Sequence, residues 1–131
     1  MPSNPQTFYP SRSRALEKVE VHTKFTGAGA ADPTSVDVKH GVSGVTYQSS
    51  TGRYRIALYQ RFSRFLGGRV SAVTTAGPVL MTVRNDQSAA ATPYIDVDFW
   101  DAATPSALSV TSSYVLHVTL DFSDSVLDVA T

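Results

Sequence analysis

Hydrophobic and polar positions alternate with period two along most of this chain. The cleanest run is Arg53-Tyr54-Arg55-Ile56-Ala57-Leu58-Tyr59, directly after Gly52. Successive side chains of an extended strand point to opposite faces. Tyr54, Ile56 and Leu58 therefore share an inward face, and Arg53, Arg55, Ala57 and Tyr59 an outward one. The same reading predicts a strand over 16–25 with Val19, Val21, Thr23 and Phe25 inward and Lys18, Glu20, His22 and Lys24 outward. It predicts another over 94–100 with Ile95, Val97 and Phe99 inward, and a last over 114–122 with Leu116, Val118, Leu120 and Phe122 inward. Weaker runs predict strands over 35–39 (an edge), 45–49, 69–75 and 79–84. One segment departs from the pattern. Phe62, Phe65 and Leu66 stand at helical spacing before Gly67-Gly68, which predicts a short helical turn near residues 60–66.

About eight short strands, separated by Gly, Pro, Asn and Asp turns and with almost no helix, predict an all-β fold. The expected build is an antiparallel β-sandwich, jelly-roll-like, with the first and last long strands as neighbours. Residues 14–124 form its single domain. Pro2, Pro5 and Pro10 make residues 1–13 an extended Pro-rich N-terminal arm, and residues 125–131 a C-terminal tail. A chain of 131 residues buries an adequate core without staples. With no apolar leader and no long apolar stretch, it is expected to be soluble and not exported by a signal of its own.

Charge changes the picture only in its distribution. The formal net charge is zero, which speaks against nucleic-acid binding through bulk positive charge. Yet residues 1–69 hold ten Lys and Arg against four acids, and residues 70–131 hold one against seven. Either the halves interleave within one sheet system, or the molecule presents opposite poles to neighbouring copies. Interleaving is the simpler reading.

Candidate chemistry is sparse. There is no cysteine, so neither a disulfide nor a thiolate is possible. No G-x-S-x-G elbow occurs, and Gly27-Ala28-Gly29 lacks the G-K-[ST] ending of a phosphate loop. Asp96 and Asp98 lie two apart on one outward, apparently wet face, roughly 6–7 Å from each other. That suits a glycosidase pair, but Arg53 and Arg55 have the matching spacing and predict cross-strand ion pairs instead. His22 and His117 project from outward faces and meet if their strands pair, but no third ligand is evident. The expectation is therefore no enzyme, no cofactor and no metal. Arg61 and Arg64, interleaved with Tyr59, Phe62 and Phe65, suit a protein–protein interface better than nucleic acid, and Phe8, Tyr9, Arg12 and Arg14 would anchor the arm. Tyr94, Asp96, Asp98 and Trp100 on one strand face form the alternative, a glycan-binding set.

From about Gly41 onward the chain resembles a group of small tailed-bacteriophage virion structural proteins. The resemblance rests on Gly44-Val45-Thr46, on Gly52 to Leu66 (GRYRIALYQRFSRFL), on Val97-Asp98-Phe99-Trp100-Asp101, and on the closing strand Tyr114 to Phe122. The family's closing tail is replaced here by Leu120-Asp121-Phe122-Ser123-Asp124. The resemblance implies a capsid decoration or cement protein located in the virion and assembled in the host cytoplasm. Its partners would be capsid or other virion proteins and further copies of itself, a trimer being favoured. The alternative is a carbohydrate- or host-surface-binding module of a tail, neck or fibre.

Overall fold

The computed structural model describes residues 18–74 and 77–123. They form nine antiparallel strands: β1 (Lys18–Thr26), β2 (Ser35–His40), β3 (Val42–Tyr47), β4 (Arg53–Leu58), β5 (Arg64–Val73), β6 (Val79–Gln87), β7 (Tyr94–Asp101), β8 (Ser106–Ala107) and β9 (Val115–Ser123). One sheet runs β2-β1-β9-β5. The other runs β3-β4-β7-β6, with the short β8 added beside β7. The protein is an all-β antiparallel sandwich, and β9 returns beside β1 as expected of the first and last long strands.

The two inward faces meet in one core. Val21 and Phe25 of β1, Tyr54, Ile56 and Leu58 of β4, Ile95, Val97 and Phe99 of β7, and Leu116, Val118, Leu120 and Phe122 of β9 are all buried there. Phe25, Tyr54 and Phe99 cluster with ring centroids 5.5–6.1 Å apart, a spacing at which aromatic pairs add to the stabilisation from burial. Leu108 and Val110, from the segment between β8 and β9, also enter the core.

The predicted helical turn near 60–66 is absent. Among the described residues there is no helix, and β5 already begins at Arg64. Phe62 and Phe65 do reach the core, but from a loop and a strand. Phe62 stacks on Phe122 at 4.4 Å, and Phe65 leans on the same ring at 5.5 Å, while Leu66 points outward. Phe62 in the β4–β5 loop and Phe65 in β5 thus reach one ring of β9, and the register shift that follows, between Phe65 and Gly67, leaves Leu66 as the extra residue. A loop residue and a strand residue three apart imitate the spacing of a helix, which short apolar runs cannot distinguish.

The pairing has a simple pattern. The central pairs β1–β9 and β4–β7 keep continuous register. Each edge strand (β2, β3, β5 and β6) carries a shift against its neighbour. Bulges twist an edge and blunt it as a template for pairing with another chain. The faces and corners, more than the sheet edges, are therefore the surfaces open to partners.

Candidate functional site

The outer face of the β3-β4-β7-β6 sheet is an ion-pair ladder. Continuous register sets Arg53 opposite Asp98 and Arg55 opposite Asp96, so the two arginines and two aspartates meet as their spacing predicts. Arg55 donates from Nε to Asp96 Oδ1 at 2.8 Å and from Nη2 to Oδ2 at 3.2 Å, a two-pronged contact. Arg53 lies 3.4 Å from Asp98. A third guanidinium, unforeseen from the sequence, completes the set: Arg84 stands 3.7 Å from Asp96 and 3.4 Å from Asp98. Arg84 is the extra residue of the β6 register shift between Val83 and Asn85, and the bulge turns it onto this face.

Asp96 is not on a wet face. Its side chain is only 2% exposed, and the guanidiniums of Arg55 and Arg84 face it. The hydrogen bond to Asp96 raises the pKa of Arg55 above its ordinary value, against the opposing pull of desolvation. Arg55 also stacks 3.7 Å above the Tyr94 ring. Of the proposed glycan-binding residues, Tyr94 and Asp96 are thus occupied by Arg55, while Asp98 and Trp100 remain beside open space.

That space is a cleft of about 250 Å³ lined by Ser50, Thr51, Arg53, Asp98, Trp100 and Ala107 among others. The Trp100 indole N–H donates to Thr82 Oγ1 at 2.8 Å, which fixes the ring between this cleft and an apolar one on its other side, bordered by Leu80 and Pro105. The β3–β4 turn forms the rim. Its Ser49 adopts φ 61°, a left-handed conformation uncommon outside glycine. Gly52, at φ 78°, lets the turn approach β7 so closely that a Cβ there would lie 2.6 Å from the Phe99 carbonyl oxygen.

The other sheet's outer face is looser. Arg69 donates to Asp121 at 2.9 Å and to Glu20 at 3.3 Å, and Lys18 approaches both acids. Desolvation works to raise the Glu20 pKa, but the Arg69 hydrogen bond and the Lys18 charge together hold it below its ordinary value. The Asp121 Oδ1 atom is buried without a hydrogen-bond partner. His22 and His117 do meet, with ring centroids 5.9 Å apart.

Charge segregation along the sequence therefore resolves by interleaving. Basic β4 lies against acidic β7, and Lys18 and Arg69 flank Asp121 of β9. Of the interface residues, Phe8, Tyr9, Arg12 and Arg14 lie outside the described residues. Arg61 and Arg64 are exposed at the β4–β5 corner, next to Tyr59 at 69% exposure and Leu66 at 47%. Register sets Arg64 and Lys18 on either side of Ser123, so this corner adjoins the point where the described chain enters β1. Comparison of the chain with protein-family models, with curated proteins and with solved structures found no match.

Proposed function

We propose that this chain is a non-enzymatic virion structural protein, a decoration or cement protein that binds a capsid shell through protein–protein contacts. The observation that carries the reading is the β4–β5 corner. Tyr59 and Leu66 expose apolar surface beside Arg61 and Arg64, and residue 18, into which the N-terminal arm leads, enters the fold at the same end. Tyrosine and arginine dominate binding hot spots because both combine a large contact area with hydrogen bonding. The bulged edges favour contact through such a corner, and the virion-protein resemblance of residues 41–122 supports the same reading. The test is cosedimentation of the protein with shells that lack it. Deleting residues 1–13 and substituting Tyr59→Ala with Arg61→Ala should each abolish binding while leaving the fold's circular dichroism intact. Undiminished binding by both variants overturns the reading.

A second reading, a glycan-binding module of a tail or fibre, is favoured by the cleft at Trp100. An indole held rigid beside an Arg–Asp pair and two hydroxyls suits a sugar's apolar face and hydroxyl rim. Trp100 is the sole tryptophan, so its fluorescence reports any occupant directly. Glycans that leave its emission unchanged at millimolar concentration count against this reading.

A further inference from the structure

The chain has three histidines, and the fold brings all three to one place. His22 lies in the middle, on β1. His40 is its direct cross-strand partner on β2, with ring centroids 5.8 Å apart. His117, on β9, flanks its other side diagonally, with centroids 5.9 Å apart. The register of β2 supplies the third imidazole that the sequence pattern did not reveal.

We infer that His22, His40 and His117, with Glu20 beside them, form a surface site for a divalent transition cation of the zinc class. Zinc takes imidazole nitrogen and carboxylate oxygen at about 2.0–2.2 Å in a tetrahedral arrangement, so two donors on one ion stand about 3.3 Å apart. The His22 Nε2 atom is already 3.4 Å from Glu20 Oε1, the length of one edge of such a tetrahedron. Imidazoles that share a tetrahedral ion have ring centroids about 5 Å apart by the same geometry, and each flanking ring is within an ångström of that distance from His22. Because they flank it from opposite sides, His40 and His117 must both swing over His22 to close the third edge. The Thr119 hydroxyl lies 3.3 Å from His22 Nδ1 and can accept a hydrogen bond from Nδ1–H, the outer contact of the tautomer whose Nε2 ligates.

Among the described residues no group of three His, Cys, Asp or Glu side chains is placed to hold a metal ion as it stands. Closure needs the rings of His40 and His117, both exposed, to change rotamer and turn toward His22. A groove of about 410 Å³ over Arg69, Ser71, His117 and Thr119 opens beside the His117 side of the cluster. Lys18 and Arg69 compete for Glu20, and Lys24 is the cross-strand partner of His117, so the site is a modest binder and not a buried structural centre. Bound metal would tie the edge strand β2 to β1 and β9.

The test uses the full chain, freed of metal with EDTA and titrated with zinc chloride by calorimetry, with thermal melting in parallel. One ion per chain is expected, with a higher melting temperature and no response to magnesium, which avoids imidazole. His22→Ala, His40→Ala and His117→Ala should each weaken binding at least about tenfold, and Thr119→Val about tenfold through the lost outer contact. All four substitutions fall on the outer face, so circular dichroism should stay unchanged. No zinc binding by the wild type overturns the inference. So does binding that survives within about twofold in any one of the three histidine variants, because a pair would then suffice.

Discussion

Two aspartates, one on each outer face, are both paired with arginine, yet they differ in how far they have left water. On the β3-β4-β7-β6 sheet, Asp96 is almost wholly buried and both its oxygens are engaged, by Arg55 and Arg84. On the β2-β1-β9-β5 sheet, Asp121 bonds Arg69 through one oxygen and leaves the other buried without a partner. The pairs are chemically alike, and desolvation separates them. A buried carboxylate and its cations depend on one another, because removing either strands a charge. Where the arginine stands more than half exposed, as Arg69 does, water screens the pair and it contributes little. The first face is locked by its own charges, whereas the second keeps histidines and acids that can still rearrange around a ligand.

The comparison is tested hardest at Asp96. Asp96→Ala strands Arg55, while Arg84 keeps Asp98, and after allowance for the partial exposure of the Arg55 guanidinium it should cost about 3 kcal/mol. Chemical denaturation measures this directly. A loss below about 1 kcal/mol would put the ladder in the same class as the opposite face.

Alkaline stability sharpens the contrast. Tyr54 lies on the inner side of β4, behind the ladder, and donates its hydroxyl to the Gly29 carbonyl at 3.4 Å. Burial first, then Tyr47 and Asp32, push its phenol up to about 12 from the ordinary 10.0. Below pH 10 the group is protonated in both folded and unfolded chains. Between pH 10 and 12 the unfolded chain releases its proton first, so stability falls as pH rises, by up to about 2–3 kcal/mol. Tyr54→Phe should flatten this limb in melting curves taken from pH 9 to 12. The inward positions of β1 and β9, Val19, Val21, Thr23 and Phe25 against Leu116, Val118, Leu120 and Phe122, include no titratable group, so the alkaline limb belongs to the ladder's sheet.

Asp121→Ala is the matching cut on the second face. It removes the pair with Arg69 but also the unpartnered Oδ1, and these effects oppose each other. The expected cost is under about 1 kcal/mol, and it should shrink further in high salt. A loss as large as that of Asp96→Ala would erase the distinction between the faces.

Why one face was legible in the sequence and the other less so follows from where registers shift. Arg53, Arg55, Asp96 and Asp98 belong to the central β4–β7 pair, which keeps continuous register, so spacing alone matched them. Arg84 and His40 sit on edge strands whose pairing slips, between Val83 and Asn85 and opposite Lys24 and Phe25. No periodicity announces a bulge, so neither the burial of Asp96 nor the third histidine could be read in advance. Phe62 and Phe65, a loop and a strand residue converging on the Phe122 ring, likewise passed for a helical turn. Leu108 and Val110 reached the core from Leu108-Ser109-Val110-Thr111, an alternation too short to stand out as a strand. The interior faces of the long strands, by contrast, followed from period two alone, because a one-residue error would have placed every apolar side chain in water.

The mildest test concerns Asp101, at the end of the ladder strand beyond Trp100. The backbone N–H of Ala103 and the hydroxyl of Thr104 both donate to its carboxylate, at 2.9 and 3.1 Å, and together they hold its pKa below the ordinary value. A depressed folded pKa means the unfolded chain takes up the proton first as pH falls. The contribution of Asp101 is thus complete above the unfolded pKa and fades through the acid range below it. Asp101→Asn retains an acceptor oxygen but loses the charge, so its melting temperature should lie slightly below that of the parent at pH 7. The two curves should converge as the pH falls toward 2 and the parent takes up its proton. A gap that persists at pH 2 would mean that the amide distorts the turn itself. The turn carries Pro105 and leads into β8, so the apolar cleft beside Trp100 would then be shaped by hydrogen-bond geometry and not by charge.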